Sequence, residues 1–314
     1  MSYCDKSDII KLCGKKVLFI DVETIGLPKQ KSGIQKPENV FYDYRDNSKY
    51  DTSRMVQLSY YYYECYNNKI PELDKIKDYI IKPKNFNVLC SEIHGITDEI
   101  ANEKGIRIKK AIKEIKNLLL NDEIDYILGY NVFFDVNILM NEFHRIKKNK
   151  VLKKMNKLIS DKKIIDVAQI CVQLDIINKP RRKYRIFKQC EIYKALLDKE
   201  QENLHNSKYD VLNLIEITNK TYEMVCKSYE RSNITEIINI FHGDNGFPIN
   251  GNKDDKIYGK PMKIIEEYYC VVCNRLYVII SSSGKSSDGE YDNSIGKRYK
   301  CTKCLRKIKR QKIS

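Results

Sequence analysis

The sequence predicts a mixed α/β domain built on a sheet flanked by helices, followed by a small cysteine-bearing module. Three observations carry that expectation. The chain opens with three short β-rich stretches separated by turn residues, which reads as an antiparallel meander. From residue 91 onward, helical and strand-like stretches alternate, a pattern that requires parallel pairing and helices packed on the sheet. Residues 242–262 (HGDNGFPINGNKDDKIYGKPM) are rich in Gly, Pro, Asn and charge, and two Cys-x-x-Cys pairs follow them. The expected organisation is a main domain over 1–225, a helix and linker over 226–265, and a small module over 266–314.

A chain of 314 residues suggests about two domains, one of them large enough to bury a sizeable core. No apolar run approaches the roughly 20 residues needed to span a bilayer. The opening MSYCDKSDII lacks the basic-then-apolar layout of a secretion signal, so an intracellular protein, cytoplasmic or nuclear, with no membrane partner is expected. The net charge of +15 points to a polyanionic partner. Part of the lysine excess follows the A/T-rich codon usage that also enriches Ile, Asn and Tyr, a bias that would suit a large DNA virus or a protist. Seven of the eleven cysteines are scattered singly and read as buried small apolar groups in a reducing compartment.

Residues 17–28 (VLFIDVETIGLP) are a short buried strand that stops at turn residues. Side chains two apart on a strand share a face, so Asp21 and Glu23 project together. Adjacent carboxylates repel unless cations neutralise them, and hard oxygen ligands suit Mg²⁺ or Mn²⁺; a solvated strand end is the plain alternative. The polar stretch 28–53 reads as a long loop beside this pair, functional or disordered. Residues 55–65 (MVQLSYYYYEC) and 79–81 are the next strands, and 91–121 turns helical with Ile106, Ile108, Ala111, Ile112, Ile115, Leu118 and Leu119 on its stripe.

The strand YILGY (126–130) leads into a helix over 133–146, and a further strand-to-helix unit starts at 164–167. Asp135 opens the first of these helices at the carboxyl end of a strand, where sites collect, and capping is its plain alternative. In LHNSKYDVLNLIEI (204–217) the pattern turns helical from Tyr209. Five helical residues rotate about 140°, so His205 belongs on the entering loop and Asp210 in the early turns if both are to face one point.

In this order the residues resemble the DEDDh, or DnaQ-like, 3′-to-5′ exonucleases of the ribonuclease H-like fold. That family carries Asp-x-Glu on its first strand, an Asp opening a central helix, and a His five residues before a last Asp. Here these are Asp21 and Glu23, Asp135, and His205 with Asp210, with secondary matches at 93–97 (IHGIT) and 54–58 (RMVQL). Asn206 stands where the sister subtype has Tyr. The resemblance covers roughly residues 15–222, and it departs from the pattern at Thr24-Ile25-Gly26, usually Thr-Thr-Gly, and in the length of the 28–53 loop.

The resemblance implies phosphodiester hydrolysis with two Mg²⁺ or Mn²⁺ ions, held about 3.5–4 Å apart in such sites. Asp21 would bridge them, Glu23, Asp135 and Asp210 would complete their shells, and His205 would accept the attacking water's proton. The implied partner is a single-stranded 3′ end of nucleic acid, with DNA favoured in proofreading, repair or degradation, and the implied product is a nucleoside 5′-monophosphate. An exoribonuclease and a catalytically inactive nucleic-acid-binding scaffold are the alternatives. His94 is read as a packing residue, His144 and His242 as ordinary ones, Phe133 and Phe134 chiefly as core, and the tyrosines of 41–50 as able to stack on bases.

In the C-terminal module, Cys270 with Cys273 and Cys301 with Cys304 have zinc-ribbon knuckle spacing, implying one structural Zn²⁺ with no open coordination position. From Lys297 the tail is basic with no acidic residue, suited to phosphate contact, to a nuclear address or to plain solvation. A replication or repair protein is the partner this module would tether.

Overall fold

The computed structural model describes residues 6–34, 39–177, 186–201, 205–242, 262–269 and 276–282. The chain divides into two compact units, Met1–Cys226 and Lys227–Ser314. In the first, β1 (Val17–Thr24), β2 (Met55–Tyr63), β3 (Lys77–Ile80), β4 (Tyr126–Gly129) and β5 (Ile164–Asp166) form a five-stranded sheet in the order β3-β2-β1-β4-β5. The expected meander is present, with β1/β2 and β2/β3 antiparallel, and β1/β4 and β4/β5 are parallel, as the alternating half of the sequence requires.

β1 is central, and its apolar residues sort by parity. Leu18, Ile20 and Val22 join one core with Ile138, Leu139 and Phe143 of α5 (Phe133–Arg145). Val17 and Phe19 join a second core with Val211, Leu214 and Ile215 of α9 (Ser207–His242). Burying a side chain of this size contributes about 1.5–3 kcal/mol, so both sheet faces hold β1 in register. The polar end of the strand is thereby fixed against two helices.

The stretch 91–121, expected as one helical region, is four short helices: α1 (Ser91–His94), α2 (Asp98–Lys104), α3 (Ile108–Ala111) and α4 (Lys113–Leu120). The first break follows from Gly95, whose left-handed φ of 72° ends α1, after which Thr97 caps α2 through a bond from the Ile100 N–H. Then come α6 (Asn149–Ser160), α7 (Val167–Gln173) and α8 (Gln189–Leu197).

Over its described residues, the 28–53 loop is clamped to the body of the domain. Tyr50 is fully buried and donates its hydroxyl to the Tyr42 carbonyl at 2.6 Å, and Arg145 of α5 bonds Asp51 at 2.7 Å. Just beyond the loop, Arg54 forms an ion pair with Glu142 of α5 at 2.7 Å, the Glu side chain being 3% exposed. Arg54→Ala would strand that buried carboxylate. We expect a loss of about 3–5 kcal/mol in urea unfolding, whereas Lys154→Ala, whose partner Asp122 is largely exposed, should cost under about 1 kcal/mol.

In the second unit, β6 (Met262–Tyr269) pairs antiparallel with β7 (Leu276–Ser282). Cys270, Cys273, Cys301, Cys304 and the basic tail lie outside the described residues, so the zinc expectation rests on the sequence. No helix among the described residues is long and apolar enough to cross a membrane.

Candidate active site

At the end of β1 the burial pattern opens at alternate positions: Asp21 and Glu23 are partly exposed while Val22 and Thr24 are buried. The two carboxylates therefore share a face, as strand geometry demands. Directly opposite Asp21 on β2 is Ser59, whose hydroxyl lies 2.6 Å from that of Ser207, the first residue of α9. This contact docks the start of α9 beside Asp21, and Asp210, three residues further on, closes the group. Ligand oxygens of Asp21, Glu23 and Asp210 all lie within 4.8 Å of one another.

Asp135 comes from the other side. β4 pairs with β1 only over Val17–Phe19, so the backbone beyond has lost its strand neighbour on that edge. The Val22 N–H donates instead to Asp135 Oδ1 at 3.0 Å. Asp135 is 2% exposed, and its carboxylate is spent on β1 rather than on a helix cap, the plain alternative that the sequence left open. The turn carrying it is tight: a Cβ at Gly129 would sit 2.7 Å from Val132 Cγ2, and Asn131 has φ 58°. Asp166, fully buried, holds that turn by accepting from the Asn131 N–H at 2.9 Å and also caps α7 through the Ala168 N–H at 3.1 Å.

His205 lies two residues before α9, exposed and with φ 60°, a left-handed conformation that His tolerates better than β-branched residues. It lines the same cleft, of about 540 Å³, as Asp21, Glu23, Asp135 and Asp210; Tyr130, Phe134, Phe187, Lys188 and Gln201 complete much of the wall. All five residues singled out in the first domain thus meet at one cleft, although the tight oxygen cluster holds three of the carboxylates. His94 has the packing role expected of it: Nδ1 accepts from the Ile96 N–H and Nε2 donates to the Leu89 carbonyl, both at 3.1 Å. Phe133 is core, and Phe134 packs against the same core as expected while also lining the cleft.

The four carboxyls are all held above the usual carboxylate range. Burial is the largest cause in each, and for Asp21 the charges of Asp135, Asp210 and Glu23 add to it. Burial, then Asp210, pushes Glu23 up to about 8; burial brings Asp210 to about 7 against the opposing hydrogen bond from Gln201. Charge accumulated without compensation in this way is what a divalent cation relieves, and the donor set is all hard oxygen. Asp21, Glu23 and Asp210 therefore form a candidate cation site.

Two supports escaped the sequence reading. Gln201, 9% exposed, donates Nε2 to Asp210 Oδ1 at 2.5 Å, and Gln189 donates Nε2 to the Asp210 carbonyl at 2.8 Å. Neither glutamine stands in a pattern that could have revealed it, and Ser59 and Ser207 are 148 residues apart in the chain.

The RNase_T family model, described as "Exonuclease", matches residues 18–218, well over half of the chain, and the protein belongs to this family. Among solved structures, the zinc-bound E. coli ExoI–ssDNA complex is similar at 18% identity and TM-score 0.49, over 72% of this chain and 45% of that one. E. coli exonuclease I with a dT13 oligonucleotide is similar at 20% identity and TM-score 0.45, over 72% and 44%. Exonuclease I from Methylocaldum szegediense follows at 15% and 0.45, over 73% and 46%. This chain spans less than half the length of each. No curated protein matches.

Proposed function

We propose that this protein is a metal-dependent 3′-to-5′ exonuclease that removes nucleoside 5′-monophosphates from single-stranded 3′ ends, with DNA as its substrate. The observation that carries the reading is the convergence of residues 21, 23, 135, 205 and 210 on one cleft, with three carboxylates inside 4.8 Å. Family membership supports the reaction class.

Asp21, Glu23, Asp135 and Asp210 would hold two Mg²⁺ or Mn²⁺ ions, which when bound activate water and relieve charge at the attacking and leaving oxygens. Asp21, central to the mutual repulsion, would be the carboxylate those ions relieve most, and Asp135 is oriented by the Val22 N–H. His205, exposed at the cleft on a loop separate from the carboxylates, takes the proton of the attacking water. The aromatic walls Tyr130, Phe134 and Phe187 face the terminal nucleotide, where base stacking is sequence-tolerant.

Incubation with 5′-labelled DNA and RNA of matched sequence tests the proposal. The expected result is a ladder of products shortening from the 3′ end, dependent on Mg²⁺ and faster on DNA. Immediate release of the label as a mononucleotide, with no ladder, would reverse the polarity, faster RNA decay would make the protein an exoribonuclease, and no products with either would leave a binding scaffold.

A further inference from the structure

We propose that the long loop between β1 and β2 carries a phosphate-binding subsite for the substrate strand, built from Lys31, Lys49 and Tyr42. This rests on the exonuclease reading and deepens it by locating where the strand lies once it leaves the cleft.

Three loop segments are stitched together by main-chain bonds. The Lys29 N–H donates to the Lys49 carbonyl at 2.9 Å, the Lys31 N–H donates to the Val40 carbonyl at 2.8 Å, and the buried Tyr50 hydroxyl holds the Tyr42 carbonyl. Lys31 and Lys49, 18 positions apart, are thereby brought to one ring: their ammonium nitrogens lie 5.8 and 4.8 Å from the centre of Tyr42. The ring face is electron-rich and attracts both cations. It therefore holds cations, as Tyr44 holds Arg45, whereas Tyr50 is fully buried, which corrects the expectation that it could stack on bases.

Neither ammonium is ion-paired among the described residues. The nearby loop acids are already engaged, Asp43 by Arg45 at 2.5 Å and Asp46 by the Ser48 N–H and hydroxyl. Two cations held at one ring on a fixed scaffold, with no ion pair among the described residues, suit an anion with regularly spaced charge.

One packing contact links this loop to the cleft wall. Phe41, adjacent to Tyr42, packs against Phe134 at a ring separation of 6.5 Å, and Phe134 lines the cleft. A single strand with its 3′ end at the carboxylates can pass Phe134 and lay phosphates on Lys31 and Lys49. This also gives the unusual loop length a purpose.

The test compares the full-length protein with Lys31→Glu/Lys49→Glu and with Lys31→Gln/Lys49→Gln. Two readouts are needed: affinity for a fluorescent single-stranded oligonucleotide blocked against hydrolysis, as a function of salt, and turnover of a dinucleotide too short to reach the loop. We expect the charge-reversed protein to bind the oligonucleotide about tenfold more weakly or worse, and the neutral pair to lower the salt slope by roughly 1.4 for two lost phosphate contacts. Dinucleotide turnover should match that of the parent. Oligonucleotide affinity and salt slope unchanged in both variants would overturn the subsite while leaving the exonuclease reading intact. A parent protein that neither binds the oligonucleotide nor turns over the dinucleotide would overturn both.

Discussion

Asp21→Asn is expected to lower exonucleolytic turnover by on the order of 10³-fold or more and, at the same time, to raise the melting temperature of the metal-free protein. Both follow from one fact. Asp21 is the carboxyl on which burial and the charges of Asp135, Asp210 and Glu23 all act in the same direction, so it is the most costly member of the group without cations and the most useful with them. Removing its charge relieves the neighbours, and each kcal/mol relieved should appear as about 2–4 °C in a domain of this size. An Asp21→Asn protein that was less stable without metal would show that the carboxylate is a structural group instead.

The same physics sets a pH dependence. A carboxyl whose folded pKa is raised binds its proton more tightly in the native state than in the unfolded one, so its stabilising effect is complete below the unfolded value of about 4 and is lost as pH rises through the folded value. With Asp210 at about 7 and Glu23 at about 8, the metal-free protein should lose stability steadily between pH 4 and about 8. Mg²⁺ takes over the role of the protons and should flatten that slope, which thermal melts at a series of pH values with and without Mg²⁺ will show. A metal-free stability that stayed level or rose across this window would contradict the site's electrostatics.

His205→Asn should reduce turnover by about 10²- to 10⁴-fold while leaving Mn²⁺ affinity unchanged. Asn is chosen because the backbone at His205 has φ 60°, which Asn tolerates, so that a loss of activity reports the imidazole and not the loop. The prediction separates two roles. The histidine is exposed at the cleft and is not a member of the oxygen cluster, so a proton acceptor's loss should spare the cations. A parallel fall in Mn²⁺ affinity would make it a ligand or a prop for the start of α9.

Much of this was legible in the sequence, for identifiable reasons. Alternation along β1 fixed Asp21 and Glu23 on one face, and the 140° argument placed His205 on the loop and Asp210 inside the helix. The sheet's meander and parallel halves followed from the spacing of the β-rich runs. What could not be read were contacts closed by the tertiary fold. The Ser59–Ser207 hydrogen bond that sets α9 beside Asp21 joins residues with no local signature, and so does the grip of Gln201 and Gln189 on Asp210. The break at Gly95 depends on a backbone angle that the helical stripe obscured. Asp135 shows the limit from the other side: its helix-start position suggested a cap, but the strand beside it had run out and its carboxylate took the orphaned Val22 N–H.

Anomalous X-ray scattering from crystals soaked in Mn²⁺ probes the central claim without relying on activity. The account predicts two peaks at the cleft floor, both within coordination distance of Asp21, with Glu23, Asp135 and Asp210 completing the shells. Crystals with full Mn²⁺ exposure and no peak among these carboxylates would contradict it.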